Sequence, residues 1–228
     1  MLLAIDSSSS TASAALLRDG VLLAEAFNNN GLTHSRTLAP MINSLLQNAG
    51  VSPGEISRVA VTNGPGSFTG LRIGISTALG FSGALGIPCS GVSTLMAAAF
   101  GAIDFEGTVC AAMDARRNQF YFASFYCENG ALTRLTEDAA VCGDSLDLPR
   151  GPVCWTGDAA ALLVREGDRA ALRPYPSAYG AALCFLSGHE RPAEQAVYLR
   201  MPQAERERLA RKSEKYEKCP KSENIIKK

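Results

Sequence analysis

Asn63-Gly64-Pro65-Gly66-Ser67-Phe68-Thr69-Gly70-Leu71-Arg72-Ile73-Gly74 is the stretch on which the reading of the fold turns. An apolar run over 56–61 precedes it and has the composition of a strand. A long helical segment over 69–85 follows it. Strand, glycine-rich turn and helix make one step of an α/β protein. Such a turn offers unpaired backbone N–H groups at a helix N-terminus to an anion. No Lys-Ser/Thr pair follows, and the spacing is not GxGxxG, so it is neither a phosphate-binding P-loop nor a dinucleotide fingerprint. The same glycines would serve a tight strand-to-helix turn with no ligand, and spacing leaves both readings open.

The helix beyond the turn is more informative. Leu71, Ile73, Ile75, Ala78, Leu79, Phe81, Ala84 and Leu85 surround its axis, and Arg72 is its only charge. Gly74, Ser76, Thr77, Gly80, Ser82 and Gly83 fill the rest. A helix without a polar face is covered on more than one side. Its own sheet covers one side; a second helix over 35–49 or another subunit covers the other. That second helix carries Leu38, Met41, Ile42, Leu45, Leu46 and Ala49 at helical spacing, with Pro40 near its start and Gly50 at its end. We take the small-residue helix as a subunit interface, with His34, Leu38, Ile42, Leu45, Arg72, Gly74, Ile75, Ala78, Leu79 and Ser82 as its candidate residues.

Outward from there, the chain opens with an apolar run ending in Asp6, then Ser7-Ser8-Ser9-Ser10, then two strands joined at Asp19-Gly20. The pattern restarts in the second half. A strand over 108–113 ends in Asp114, strands over 117–127 and 131–135 meet at Asn129-Gly130, and strand, turn and helix follow over 153–165. A helix over 177–187 and a strand over 197–200 complete it. The fold class is therefore α/β, a duplicated unit in two lobes, 1–101 and 102–202, with a charged tail over 203–228. Asp6 with its hydroxyl-rich loop could hold a metal-bound water or a Mg²⁺-linked phosphate, or cap its own turn. Asp114 is its counterpart, but Arg116 and Arg117 follow it where a threaded phosphate needs glycine. Gly157-Asp158 borders an adenosine pocket or is a plain turn.

Several function classes fall away. Of 228 residues, 46% are hydrophobic and 19% charged, a globular composition with zero formal net charge. The first lysine is Lys212, so an active-site lysine earlier in the chain is excluded. Seven cysteines without a CxxC pair suit a reducing cytoplasmic setting, and His34 and His189 lack partners at metal-ligand spacing. The uncharged stretch 73–103 is broken by glycines and Pro88, so no membrane span is expected, and no signal peptide. No basic, aromatic-interleaved run suggests a nucleic-acid surface in 1–202. The tail holds nine Lys and Arg against five Glu and could add attraction to RNA.

The motifs Ile5-Asp6-Ser7-Ser8, His34-Ser35-Arg36-Thr37-Leu38-Ala39-Pro40-Met41-Ile42, Gly64–Gly74, Gly91-Val92-Ser93-Thr94-Leu95, Asp114-Ala115-Arg116-Arg117 and Tyr198-Leu199-Arg200 together resemble the TsaB (YeaZ) family. The resemblance implies the two-lobed fold of the actin, sugar-kinase and heat-shock ATPase superfamily, built from duplicated ribonuclease H-like units. It implies a role in forming N6-threonylcarbamoyladenosine in tRNAs that read codons starting with A. The partners would be TsaD, which performs the transfer, and TsaE, with tRNA reached through the complex. The complex uses ATP and threonylcarbamoyl-adenylate, with no cofactor held tightly by this chain. In TsaD the stretch matching 91–99 carries metal-binding histidines; here it is Gly-Val-Ser-Thr-Leu-Met-Ala-Ala-Ala. Arg116 stands where nucleotide-binding relatives have glycine. No catalytic residue and no metal ligand are therefore expected, and the older glycoprotease label for such proteins finds no ligands. Asp6, Ser7, Asp114, Arg116 and Gly157 would be a vestigial nucleotide loop. The expectation is a cytoplasmic, non-catalytic subunit that meets TsaD, or a second copy of itself, through its first lobe. The alternative is a small-molecule kinase or ATPase using Asp6 and Asp114 with Mg²⁺.

Overall fold

The computed structural model describes residues 1–200 except Leu32, Asp144, Ser145, Asp147, Leu148 and Arg150. The expectation for the 203–228 tail lies outside the described residues. The first half gives β1 (Leu2–Asp6), β2 (Ala12–Arg18), β3 (Val21–Asn28), α1 (His34–Asn48), β4 (Arg58–Thr62), α2 (Phe68–Leu85), β5 (Cys89–Val92) and α3 (Thr94–Ala99). The second gives β6 (Gly107–Asp114), β7 (Gln119–Glu128), β8 (Ala131–Arg134), β9 (Ala139–Cys142), β10 (Cys154–Thr156), α4 (Ala160–Leu163), β11 (Arg169–Ala170), α5 (Ala178–Leu186) and β12 (Glu190–Pro192).

Two sheets result. The first runs β12-β5-β4-β1-β2-β3 and the second β11-β10-β6-β7-β8, with β9 also paired to β7. In both, an antiparallel three-strand meander is followed by two parallel additions: β1 pairs with β4 and β4 with β5, while β6 pairs with β10 and β10 with β11. Both meanders turn at a two-residue loop with positive φ, Asp19-Gly20 and Asn129-Gly130, the geometry that matches strand twist. The duplication expected from the sequence is thus present strand for strand. Each half is an α/β unit on the same strand plan, so the fold class is α/β in two related lobes. Central β1 is buried along its whole length, which explains its unbroken apolar run.

Helices cover both faces of the first sheet. α1 and α2 bury Leu38, Ile42, Leu45, Leu46, Leu71, Ile75 and Ala78 against Leu3, Ile5, Ala14, Leu16, Val59 and Val61. Each such side chain removed from water stabilises the fold by about 1.5–3 kcal/mol. On the other face α5 lays Ala178 and Ala182 on Leu2, Ala4, Ala15, Leu17 and Ala60. α3 belongs to the core of the second lobe with Val109, Ala111, Met113 and Phe125. α3 and α5 meet back to back between the sheets, where a Cβ on Gly180 would collide with the carbonyl of Ala97. The expected division at 101/102 is therefore crossed twice: α3 packs with the second lobe, while α5 and β12 complete the first. The strand expected over 197–200 is not formed. The strand is Glu190–Pro192, antiparallel to β5, and the residues after it run across the lobes instead of along a sheet edge.

Candidate functional site

β1 ends at Asp6, whose side chain is fully buried. Its Oδ1 accepts hydrogen bonds from Ser8 Oγ at 2.6 Å, Thr62 Oγ1 at 2.6 Å and Ser8 N at 3.3 Å. Its Oδ2 is buried with no hydrogen-bond partner. Burial pushes the Asp6 carboxyl above the ordinary carboxylate range, against the pull of the Ser8 and Thr62 hydrogen bonds. Ser7 Oγ donates to Gly70 O at 2.9 Å, and His34 Nε2 lies 3.0 Å from Ser9 O. Through Ser8 the Asp6 carboxylate caps its own turn.

The glycine-rich turn is filled from within the chain. A Cβ on Gly70 would collide with the carbonyl oxygen of Ser7, and one on Gly66 with that of Ser8. On Gly64, at φ 124°, it would strike the carbonyl oxygen of Val197. Ser67 N donates to Ser8 O at 2.7 Å, and Ser67 Oγ caps α2 by accepting from Gly70 N. These glycines admit three close backbone approaches from the same polypeptide.

In the second lobe Asp114 is exposed, and its carboxylate accepts Arg116 N at 2.6 Å. Asp158 Oδ1 in turn accepts Asp114 N at 2.8 Å. Burial is the chief cause that raises the Asp158 carboxyl, with the Asp114 and Asp6 charges adding to it. Arg116, Arg117 and Asn118 follow at φ 64°, 59° and 54°. The backbone keeps a glycine-type conformation while carrying side chains, at a cost of about 1–2 kcal/mol per residue. Gly157 packs its α-carbon against the backbone of Ala112 and is a packing glycine, not a pocket wall. The kinase or ATPase alternative would place Mg²⁺ and ATP between these two loops. The residues present do not fit that group: one loop is filled by its own carbonyls and the other holds two arginines. The kinase or ATPase alternative loses its geometry with them.

A segment after β12 ties the lobes together. Val197 N donates to Asn63 O at 2.7 Å, and Arg200 Nη1 reaches the carbonyl oxygens of Ala115 and Arg116. Tyr198 packs against Phe68 with ring centroids 4.9 Å apart and planes tilted by 43°, and the Arg72 guanidinium lies 3.9 Å over the Phe68 ring. Nearby, Asp138 accepts Ser93 Oγ and Arg134 Nη1, both at 2.7 Å. Arg191 donates to Asn63 Oδ1, Gly64 O and Val92 O, and Asn63 Nδ2 donates to Pro192 O and Gln195 O. No sequence signal singled out Asn63 with Arg191 or Asp138, because their partners lie up to 132 residues away.

Among the expected interface residues, Leu38, Ile42, Leu45, Gly74, Ile75 and Ala78 are buried in the chain's own core. They cannot meet a partner, which corrects the sequence reading: α1 covers one side of α2 within the chain. A Cβ on Gly74 would lie 2.5 Å from Ser7 Oγ. His34 and Ser82 are half-buried, and Arg72 and Leu79 are exposed. The outer face of α2 that remains is Thr69, Arg72, Ser76, Leu79, Gly80, Gly83 and Ala84, and nothing lies within 4 Å of a Cβ placed on Gly80 or Gly83.

A family model described as TsaD, tRNA N6-adenosine threonylcarbamoyltransferase, matches residues 25–227. The tRNA threonylcarbamoyladenosine biosynthesis protein TsaB of Escherichia coli (strain K12) is 33% identical over 184 residues, 73% of this chain and 79% of that protein. The chain belongs to the TsaB family, also called YeaZ. The TsaB of Bacillus subtilis (strain 168) is 37% identical over 140 residues, 61% of each chain. The match thus spans less than two thirds of the Bacillus protein. The solved structure of YeaZ from Pseudomonas aeruginosa superposes with a TM-score of 0.72 at 28% identity, covering 88% of this chain and 99% of that one. In this TsaB-family chain, residues 91–99 are all buried. Among the described residues there is no group of three His, Cys, Asp or Glu side chains that could hold a metal. No described helix is long and apolar enough to cross a membrane.

Proposed function

We propose that this chain is a non-catalytic subunit of the assembly that forms N6-threonylcarbamoyladenosine in tRNAs reading codons starting with A. It docks on TsaD through the outer face of α2 beyond Arg72, the face that a second copy of the chain would use in TsaD's absence. TsaE is a further partner, and tRNA is reached through the assembly. ATP and threonylcarbamoyl-adenylate are used by the assembly and not held tightly by this chain, which works in the cytoplasm. The observation that carries the reading is the contrast at the two ends of the glycine-rich turn. Its anion cradle is filled by Ser7, Ser8 and Val197, whereas α2 leading away from it leaves an uncharged strip of small residues bare beyond Arg72.

The test is modification of tRNA in vitro with TsaD, TsaE, threonylcarbamoyl-adenylate and ATP, with and without this chain. Modification is expected only when the chain is present. Equal rates without it, or modification by this chain in the absence of TsaD, would overturn the reading.

A further inference from the structure

The sequence offers no basic, aromatic-interleaved run before the tail, yet the fold assembles such a surface from distant pieces. Phe68 and Arg72 come from the start of α2, Tyr198 and Arg200 from the segment after β12, and Arg116 and Arg117 from the β6–β7 loop. Tyr198 is 38% exposed, and its ring with Phe68 forms a ledge capped by the Arg72 guanidinium. Two residues further along, Arg200 clips onto the Ala115 and Arg116 carbonyls. That contact places the ledge next to the exposed Arg116 and Arg117, whose guanidinium groups make no hydrogen bond or ion pair among the described residues. The acids beside them, Asp114 and Asp158, are each engaged by a backbone N–H. In the sequence, residues 203–228 hold nine Lys and Arg against five Glu.

We propose that this surface docks single-stranded RNA, specifically the loop of the tRNA substrate. The exposed Tyr198 ring, backed by the half-buried Phe68 and flanked by guanidinium groups, is the combination that binds an unpaired base by stacking and its phosphates by charge. Unpaired arginines held out on a left-handed loop suit a phosphate backbone better than an apolar protein face. The proposal rests on the tRNA reading above and extends it by assigning this chain its own contact with the RNA.

The experiment measures binding of a labelled anticodon stem-loop of a tRNA that reads codons starting with A. It uses the full chain alone and in the TsaD complex, across a range of salt. Arg116→Gln with Arg117→Gln is expected to weaken binding about tenfold and to make the slope of log K against log salt shallower by about 1.4, two phosphate contacts at about 0.7 each. Tyr198→Ala is expected to weaken binding about tenfold at unchanged salt slope, and Tyr198→Phe to restore it. Melting temperatures of the variants confirm folding. No binding by the full chain at low salt, or binding unchanged in the variants, overturns the proposal, as does loss of TsaD affinity with RNA affinity intact. If the variants lose RNA while tRNA modification proceeds without this chain, the surface stands and the subunit reading falls.

Discussion

Asp6 shows how a residue that looks catalytic in a sequence can be structural in a fold. It ends a strand ahead of four serines, the place where a related fold would hold a metal-linked phosphate, yet its Oδ1 is used up by Ser8 and Thr62. The cost falls on Oδ2, buried and unpartnered. Because burial raises the folded-state pKa, the carboxyl's contribution to stability is present in acid and fades as pH rises through that raised value. Asp6→Asn cannot ionise and keeps an acceptor for Ser8 and Thr62. Its melting temperature should therefore gain on the wild type as pH rises above the ordinary carboxylate range; a gap that stays constant as pH rises would show that Asp6 is not titrating in the fold. Position alone made Asp6 legible as special. Its role was not, since Thr62 and the Gly70 carbonyl that fix the loop lie 56 and 63 residues away.

At the scale of elements, α2 was legible in extent and half-legible in use. Ser67 and Gly86 mark its ends, and the left-handed Gly86 closes it as a helix C-terminus usually closes. The absence of a polar face correctly required cover on more than one side, but periodicity could not say which residues α1 would cover. Gly74 and Gly80 are alike in sequence and opposite in space. Gly74→Leu has no room beside Ser7 and should unfold the chain or lower its midpoint sharply in urea. Gly80→Leu meets nothing and should stabilise the helix by about 0.5–1 kcal/mol while blocking TsaD in a co-purification assay. A Gly80→Leu chain that still co-purifies with TsaD would place the contact elsewhere. The missed strand β12 teaches the same lesson: Glu190–Pro192 is charged and ends in proline, so only the edge of β5 makes it a strand.

Across the whole molecule, the duplicated strand order was readable because each half repeats its own turn chemistry, Asp19-Gly20 and Asn129-Gly130. The way the halves are joined was not readable, because beside the α3–α5 packing it is made by single polar contacts between distant residues. Asp138 holds Ser93 and Arg134 from opposite lobes and lies 3.9 Å from Arg191. Asp138→Ala leaves those donors without their acceptor and should cost about 1–3 kcal/mol, seen as a lower urea midpoint at unchanged slope. An unaltered midpoint would mean that the lobes are held by the α3–α5 contact and the segment after β12, without help from Asp138.

The seating of α5 on the first sheet also bears on how the polypeptide is made. A ribosome that has delivered only residues 1–101 has produced a sheet with Leu2, Ala4, Ala15, Leu17 and Ala60 bare on one side, since Ala178 and Ala182 are still to be synthesised. The earliest-made strands must wait for nearly the last-made helix, so a prematurely terminated product emerges with an adhesive flank and is a ready target for chaperones and proteases.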